Sequence, residues 1–144
     1  MKTYYYGHSL YTRGKPKAAH VEPLRKHGFL VVSLSPAYPE HLVELGEDSI
    51  HIPLPDGKLT PTVVEDVMRA KNHVVERAAQ HRPVLVHCNA GRNRAAFVVA
   101  LAYADLAKVS GQTAMERIRM IRPNSLANEH FAAFLERYNP LTIA

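Results

Sequence analysis

Val84-Leu85-Val86-His87-Cys88-Asn89-Ala90-Gly91-Arg92-Asn93-Arg94 runs without a break into Ala95-Ala96-Phe97-Val98-Val99-Ala100-Leu101-Ala102-Tyr103. Pro83 ends the helical pattern before it, and Val84-Leu85-Val86 is a short apolar run, the pattern of a strand buried on both faces. Residues 95–103 are apolar on every side, as a helix at the centre of a domain is. The polar segment between them, with Gly91 inside it, is a loop joining a buried strand to a buried helix.

Outward from this stretch the chain alternates strands and helices. Residues 3–6 predict a short edge strand, and residues 18–27 a helix that tolerates Pro23 and stops at Gly28. Phe29-Leu30-Val31-Val32-Ser33-Leu34 reads as a second strand buried on both faces. Residues 39–45 predict a short helix closed by Gly46. Ile50, Ile52 and Leu54 then alternate with polar or turn residues, giving a strand that runs into the loop Pro55-Asp56-Gly57. Thr60-Pro61 places a hydroxyl at a helix cap and proline in the first turn. Val63, Val64, Val67, Met68, Val74, Val75 and Ala78 then form one apolar face. Two amphipathic helices, near 113–121 and 128–138, close the sequence. This order predicts a single α/β domain over 1–144, with a central, mainly parallel sheet flanked by helices. Ligands of such sheets gather at the carboxyl ends of the central strands, where Cys88 and Asp56 fall.

The chain has 144 residues, 47% hydrophobic and 22% charged, with one cysteine and a net charge of +5. A lone cysteine excludes an intrachain disulfide and suits a reducing compartment. The basic balance suits anionic partners without choosing among them, and plain solubility explains it as well. The first residues lack the apolar core and cleavage site of a signal peptide, and residues 95–103 are too few to span a bilayer. These features predict an unanchored, cytoplasmic protein. Nine histidines form no helical pair and no cluster with carboxylates, so neither a metal nor another cofactor is expected.

The loop carries the chemistry. A phosphate dianion needs donors converging on several oxygens, and a tight loop entering a helix N-terminus supplies them from backbone N–H groups and the helix dipole. The amides of Asn89, Ala90, Gly91, Arg92, Asn93 and Arg94 are the expected cradle, with Gly91 permitting the backbone angles. Arg94 presents a planar fork matched to two phosphate oxygens. The same field favours Cys88 as a thiolate nucleophile. His87 is expected behind the loop, holding its shape through a ring hydrogen bond.

Together these residues resemble the His-Cys-x5-Arg signature of the protein tyrosine phosphatase superfamily, especially its dual-specificity branch. The order of elements is similar almost end to end, including residues 116–124 and on to Phe131 and Leu135. The resemblance implies the phosphotyrosine protein phosphatase fold and hydrolysis of phosphate monoesters through a phosphocysteine intermediate. It assigns Cys88 as nucleophile, Arg94 as phosphate clamp and Asp56 as the acid that protonates the leaving group and then activates water. Such an acid is worth about 100- to 10,000-fold in rate. Asp48 is the competitor but falls before its strand, at the wrong end of the sheet, and Asp66 lies on a solvated helix face.

One position departs from the pattern. Most relatives carry serine or threonine after the signature arginine, whose hydroxyl assists the departing thiolate, and here the residue is Ala95. The expected consequence is slower breakdown of the intermediate. Three readings stay open: a phosphatase of phosphotyrosine, phosphoserine or phosphothreonine in proteins; an RNA 5′-phosphatase, RNA 5′-triphosphatase or phosphoinositide phosphatase; and a catalytically weak phosphate-binding module. Phosphorylated protein is the expected partner, RNA is an alternative, and a membrane is not expected. Arg92 and Lys58 are placed at the mouth of the site, as substrate contacts or as solvated rim charges. Arg13, Lys15 and Lys17 read as an exposed basic loop, and Tyr4, Tyr5, Tyr6 and Tyr11 as edge-strand packing rather than a stacking platform.

Overall fold

The computed structural model describes residues 2–140. Its sheet has five strands: β1 Tyr4–Tyr5, β2 Leu10–Arg13, β3 Leu30–Ser33, β4 Ser49–His51 and β5 Val84–His87. They lie in the order β1-β2-β5-β3-β4, so the strand leading to Cys88 is central. Among the described residues only the β1–β2 pair is antiparallel; β2, β5, β3 and β4 run parallel.

Side-chain alternation explains why β3 and β5 read as continuous apolar runs. Leu30, Val32, Val84 and Val86 enter the larger core, beneath α2 Pro61–Ala79, α3 Arg94–Ala107, α4 Gly111–Ile121 and α5 Glu129–Arg137. Val31 and Leu85 face the opposite side and pack with Val21, Leu24, Leu42 and Leu45. Both faces are covered, as a parallel sheet requires. Helix α3 is buried from Arg94 through Leu101 and beyond, in agreement with its uniformly apolar sequence.

Several expected elements change character. The helix expected over 18–27 divides into a 3-10 turn, Ala18–His20, and α1, Val21–Lys26. Pro23 falls in the first turn of α1, where its missing N–H costs no helical bond. The helix expected over 39–45 is a 3-10 segment, Glu40–Asp48, interrupted at Gly46, whose φ is +58°. The strand expected through Leu54 ends its ladder at His51. Ile52 and Leu54 still donate to the carbonyls of Ser33 and Leu34, at 2.9 Å each, but the intervening Pro53 and Pro55 have no N–H to give.

Strand β2 was not expected, because its apolar pattern is broken by Thr12 and Arg13. Both are buried there. Thr12 shares a 2.7 Å hydrogen bond with the Tyr6 hydroxyl, which satisfies two polar groups inside the core. Arg13, expected in an exposed loop, is 7% exposed at the end of β2. Tyr5 stacks beside Tyr11, and Tyr11 meets Phe29 edge-on.

The C-terminal helices are locked against α2 and α3. Lys71 Nζ pairs with Asp105 Oδ2 at 2.7 Å, and the Tyr138 hydroxyl donates to Asp105 Oδ1 at 2.6 Å. Burial, then this carboxylate, push the Tyr138 hydroxyl well above its ordinary range, so it stays a donor. Gly111 lies so close to α5 that a Cβ there would sit 2.1 Å from the Leu135 carbonyl oxygen. Only glycine allows that approach. This fixes α5, whose N-terminus reaches the candidate site.

Among the described residues, no helix is long and apolar enough to cross a membrane.

Candidate active site

Cys88 is the first residue past the central strand and is 3% exposed. Its Sγ accepts a hydrogen bond from the Gly91 N–H at 3.2 Å. Gly91 adopts φ +77°, a left-handed conformation that suits glycine. A Cβ on it would also lie 2.8 Å from the Arg13 carbonyl carbon and oxygen. The end of β2 thus presses directly on the loop, and glycine is required twice over.

Two outside groups hold the loop's carbonyls. Arg122 Nη1 donates to the Ala90 carbonyl at 2.9 Å, while its guanidinium lies 4.7 Å from the centre of the Tyr4 ring. The Leu126 N–H donates to the Arg92 carbonyl, also at 2.9 Å. With those carbonyls held from outside, the loop's curvature is fixed before any ligand arrives.

Arg94 opens α3 and is 8% exposed. Its Nη1 donates to the Leu54 carbonyl at 3.2 Å, which anchors one edge of the guanidinium. Its Nε is buried and has no hydrogen-bond partner. Leaving a buried cationic donor unpaired costs about 1–3 kcal/mol or more, and an anion in the cradle would remove that cost.

His87, 0% exposed, fills the space behind the loop. Burial above all, aided by the nearby Lys15, Arg13 and His51 and opposed by its bond to the Cys88 backbone, lowers its pKa to about 4. The ring is therefore neutral near pH 7. A carbonyl can only accept, so Nδ1–H donates to the Cys88 carbonyl, 3.4 Å away. Nε2 must then accept from the Ser33 hydroxyl at 2.6 Å. On the same side, Ser35 Oγ donates to Asn89 Oδ1 at 3.2 Å.

Asp56 is exposed but oriented by two amides. Asn93 Nδ2 donates to its Oδ2 at 3.2 Å, and Asn128 Nδ2 to its Oδ1 at 2.9 Å. Asn128 Nδ2 also reaches the Gly57 carbonyl at 3.2 Å. The Asn128 N–H donates to Asn93 Oδ1, and its Oδ1 caps α5 by accepting from the His130 and Phe131 N–H groups. The Asp56 loop, the cysteine loop and α5 are joined through these two side chains.

The structure thus brings Cys88, Asn93, Arg94, Asp56 and His87 to one end of the sheet. It does not bring Asp48 or Asp66 there: Asp48 pairs with Arg77 at 2.7 Å, and Asp66 with Arg69 at 3.1 Å on the surface. Arg92 and Lys58 are exposed. Ala95 is fully buried and has no hydroxyl to offer. Sequence reasoning missed Ser33, Ser35, Arg122 and Asn128. Only Asn128 left a local signal, as a helix cap before Glu129. Among the described residues, no group of three or more histidine, cysteine, aspartate or glutamate side chains could hold a metal.

The family model for the dual specificity phosphatase catalytic domain matches residues 10–140. The chain belongs to the dual specificity phosphatase family. That family is a branch of the protein tyrosine phosphatase superfamily. It is 28% identical over 135 residues to dual specificity protein phosphatase 12 of Rattus norvegicus, and 27% to that of Mus musculus. The match covers 92% of this chain but 40% of those relatives, so the chain spans well under half of their length. Among solved structures, human DUSP28 superposes with a TM-score of 0.80 at 20% identity, covering 99% of this chain and 95% of that one. The active form of Tk-PTP gives 0.77 at 20%, covering 93% and 95%. PTPMT1 gives 0.72 at 18%, covering 94% of each. At these identities the likeness shows the fold, and the expected α/β architecture is the one these phosphatases share.

Proposed function

We propose that this dual specificity phosphatase domain removes phosphate from phosphotyrosine, phosphoserine or phosphothreonine in proteins by way of a phosphocysteine. Cys88 attacks phosphorus as its thiolate, forming the S–P bond as the bond to the leaving oxygen breaks. Asp56 gives its proton to that oxygen. Arg94 and the amides of Asn89 through Asn93 hold the three remaining oxygens. Water, activated by the Asp56 carboxylate, then cleaves the S–P bond and releases inorganic phosphate and the Cys88 thiolate. His87 and Ser33 position the loop and take no proton in either step.

The observation that carries this reading is the buried, unpartnered Nε of Arg94 in the same loop as a buried sulfur held by the Gly91 amide. Arg77 also has a buried, unpartnered nitrogen, Nη1, but its charge is met by Asp48 at 2.7 Å, whereas among the described residues Arg94 has no carboxylate partner. The curated relatives are protein phosphatases by name, which favours phosphoproteins over RNA 5′ ends or phosphoinositides. The lone cysteine, kept as a free thiol, is in accord with a reducing compartment such as the cytoplasm.

The test compares wild type, Cys88→Ser and Asp56→Asn on an aryl phosphate, phosphopeptides, a phosphoinositide and 5′-triphosphorylated RNA. Phosphate release from phosphopeptides that vanishes with Cys88→Ser is the expected result. Preferred release from RNA or lipid would overturn the protein assignment, and binding without cysteine-dependent release would leave only a phosphate-binding module.

A further inference from the structure

The basic segment after β2 is left without a role by the chemistry above, yet it borders the cysteine loop. Strands β2 and β3 both pair with β5, and their registers set Arg13 and Ser33 level with His87. The chain therefore leaves the sheet on both sides of Cys88. On one side Arg13 packs on Gly91; on the other, Ser35 bonds Asn89 and its carbonyl receives His51 Nε2–H at 2.7 Å. The two segments meet again farther out, where His41 Nε2–H donates to the Pro16 carbonyl at 2.8 Å. Between them lies a groove of about 620 Å3.

Its charge is lopsided. Lys15 and Lys17 line it, with Glu40 as the one acidic residue of the lining. Lys15 and Lys17 are exposed, and neither is among the lysine and arginine residues paired with a carboxylate within 4 Å among the described residues. Arg13 adds a buried guanidinium whose Nε reaches only the carbonyl of Gly14. The charges of this group extend to the loop: burial above all, and then Lys15 and Arg13, act against protonation of His87, and burial, then Arg13 and Lys17, against that of His20. The two segments that wall this groove run back to the cysteine loop through Arg13 and Ser35, so its positive charge attracts an anionic group of a chain that passes over that loop.

We propose that this groove is a specificity subsite for acidic phosphopeptides, taking the carboxylate or second phosphate of a residue that flanks the phosphorylated one. The proposal rests on the phosphoprotein reading above. A peptide suits the groove better than a nucleic acid strand does. Single strands need open aromatic faces and a continuous basic track. Here the Tyr38 ring is stacked on His51, with centroids 5.1 Å apart, and its hydroxyl is tied to Ser49. Glu40 also breaks the track. A single carboxylate or phosphate between two lysines meets neither obstacle.

The test uses wild type, Lys15→Ala/Lys17→Ala and Lys15→Glu/Lys17→Glu. Substrates are a small aryl phosphate, phosphopeptides differing only in acidic, neutral or basic flanks, and a 5′-phosphorylated oligoribonucleotide. Two exposed ion pairs predict that wild type favours the acidic peptide by roughly five- to tenfold in kcat/KM, chiefly through KM. The alanine pair abolishes that preference, the glutamate pair turns it toward basic flanks, and aryl phosphate turnover stays within about twofold. The same order must appear in peptide binding to Cys88→Ser, which needs no turnover. Equal handling of the three peptides by wild type, or a preference that survives both lysine variants, overturns the subsite. So does lysine-dependent preference for the oligoribonucleotide. Cys88-dependent aryl phosphate hydrolysis without a flank preference removes this inference and leaves the phosphatase reading standing; hydrolysis that survives Cys88→Ser removes the latter.

Discussion

Asn128→Asp separates two duties of one side chain. Asn128 caps α5 through Oδ1 and orients Asp56 through Nδ2, 2.9 Å from Asp56 Oδ1 and 3.2 Å from the Gly57 carbonyl. Aspartate caps as well as asparagine does, and its charge suits a helix N-terminus. Stability should therefore move by less than about 1 kcal/mol. The orienting role is lost altogether. Two hydrogen bonds worth about 0.5–1.5 kcal/mol each disappear. Two carboxylates then face each other about 4 Å apart, which costs about 1 kcal/mol in water and about 4 kcal/mol at an effective dielectric of 20. Both groups are solvent-accessible, so the lower figure governs, and the aligned loop loses about 2–4 kcal/mol in all.

A 2 kcal/mol loss lowers the ratio of aligned to misaligned Asp56 about 30-fold. The drop should be read in kcat on phosphopeptides, whose leaving groups need protonation. A nitrophenyl phosphate, whose leaving group needs little help, should lose only about threefold. Thermal denaturation checks that the cap is intact. Unchanged phosphopeptide turnover in a stable variant would refute the placement of Asp56 as acid. Equal losses on both substrates would mean that Asn128 supports the cradle instead.

His87 makes stability depend on pH. Its folded pKa of about 4 lies below the ordinary 6.5, so the unfolded chain binds the proton first as pH falls. The stabilisation from a neutral His87 is complete above pH 6.5 and is lost between about 6.5 and 4, amounting to about 3 kcal/mol. Urea titrations across that range should show the loss in wild type and a flatter profile in His87→Gln; equal slopes would contradict the buried neutral ring. Gly91→Ala should abolish inorganic phosphate binding, since its methyl meets the Arg13 carbonyl at 2.8 Å, and calorimetry showing wild-type affinity would contradict the contact. Ala95→Ser should raise steady-state turnover of good substrates severalfold if breakdown of the intermediate is the slow step, with a matching fall in any pre-steady-state burst. A burst that persists unchanged would remove the role given to the missing hydroxyl.

Much of this molecule is legible locally. Strands β3 and β5 announce themselves because both faces are buried, and α3 because no side of it meets water. The loop from Cys88 to Arg94 is recognisable because its neighbours are a strand and a helix. What stays hidden depends on distant partners. Thr12 and Arg13 disguise β2 as a polar segment, since the Tyr6 hydroxyl that satisfies Thr12 is supplied by the fold. Ser33 and Ser35 bond His87 and Asn89 across 54 residues, and Asn128 reaches Asp56 across 72. Those spacings have no period to read. Lys71, on a helix face that reads as polar, is buried only because Asp105 waits on α3.

If Cys88 is phosphorylated during turnover and the missing hydroxyl at Ala95 slows the second step, the phosphocysteine should live long enough to trap. Wild-type protein mixed with phosphopeptide and quenched in acid within milliseconds to seconds should carry the mass of one phosphoryl group. Peptide mapping should place it on Cys88. Phosphate released at full rate with no covalent phosphoryl group at any quench time, or with the group on another side chain, would contradict the account.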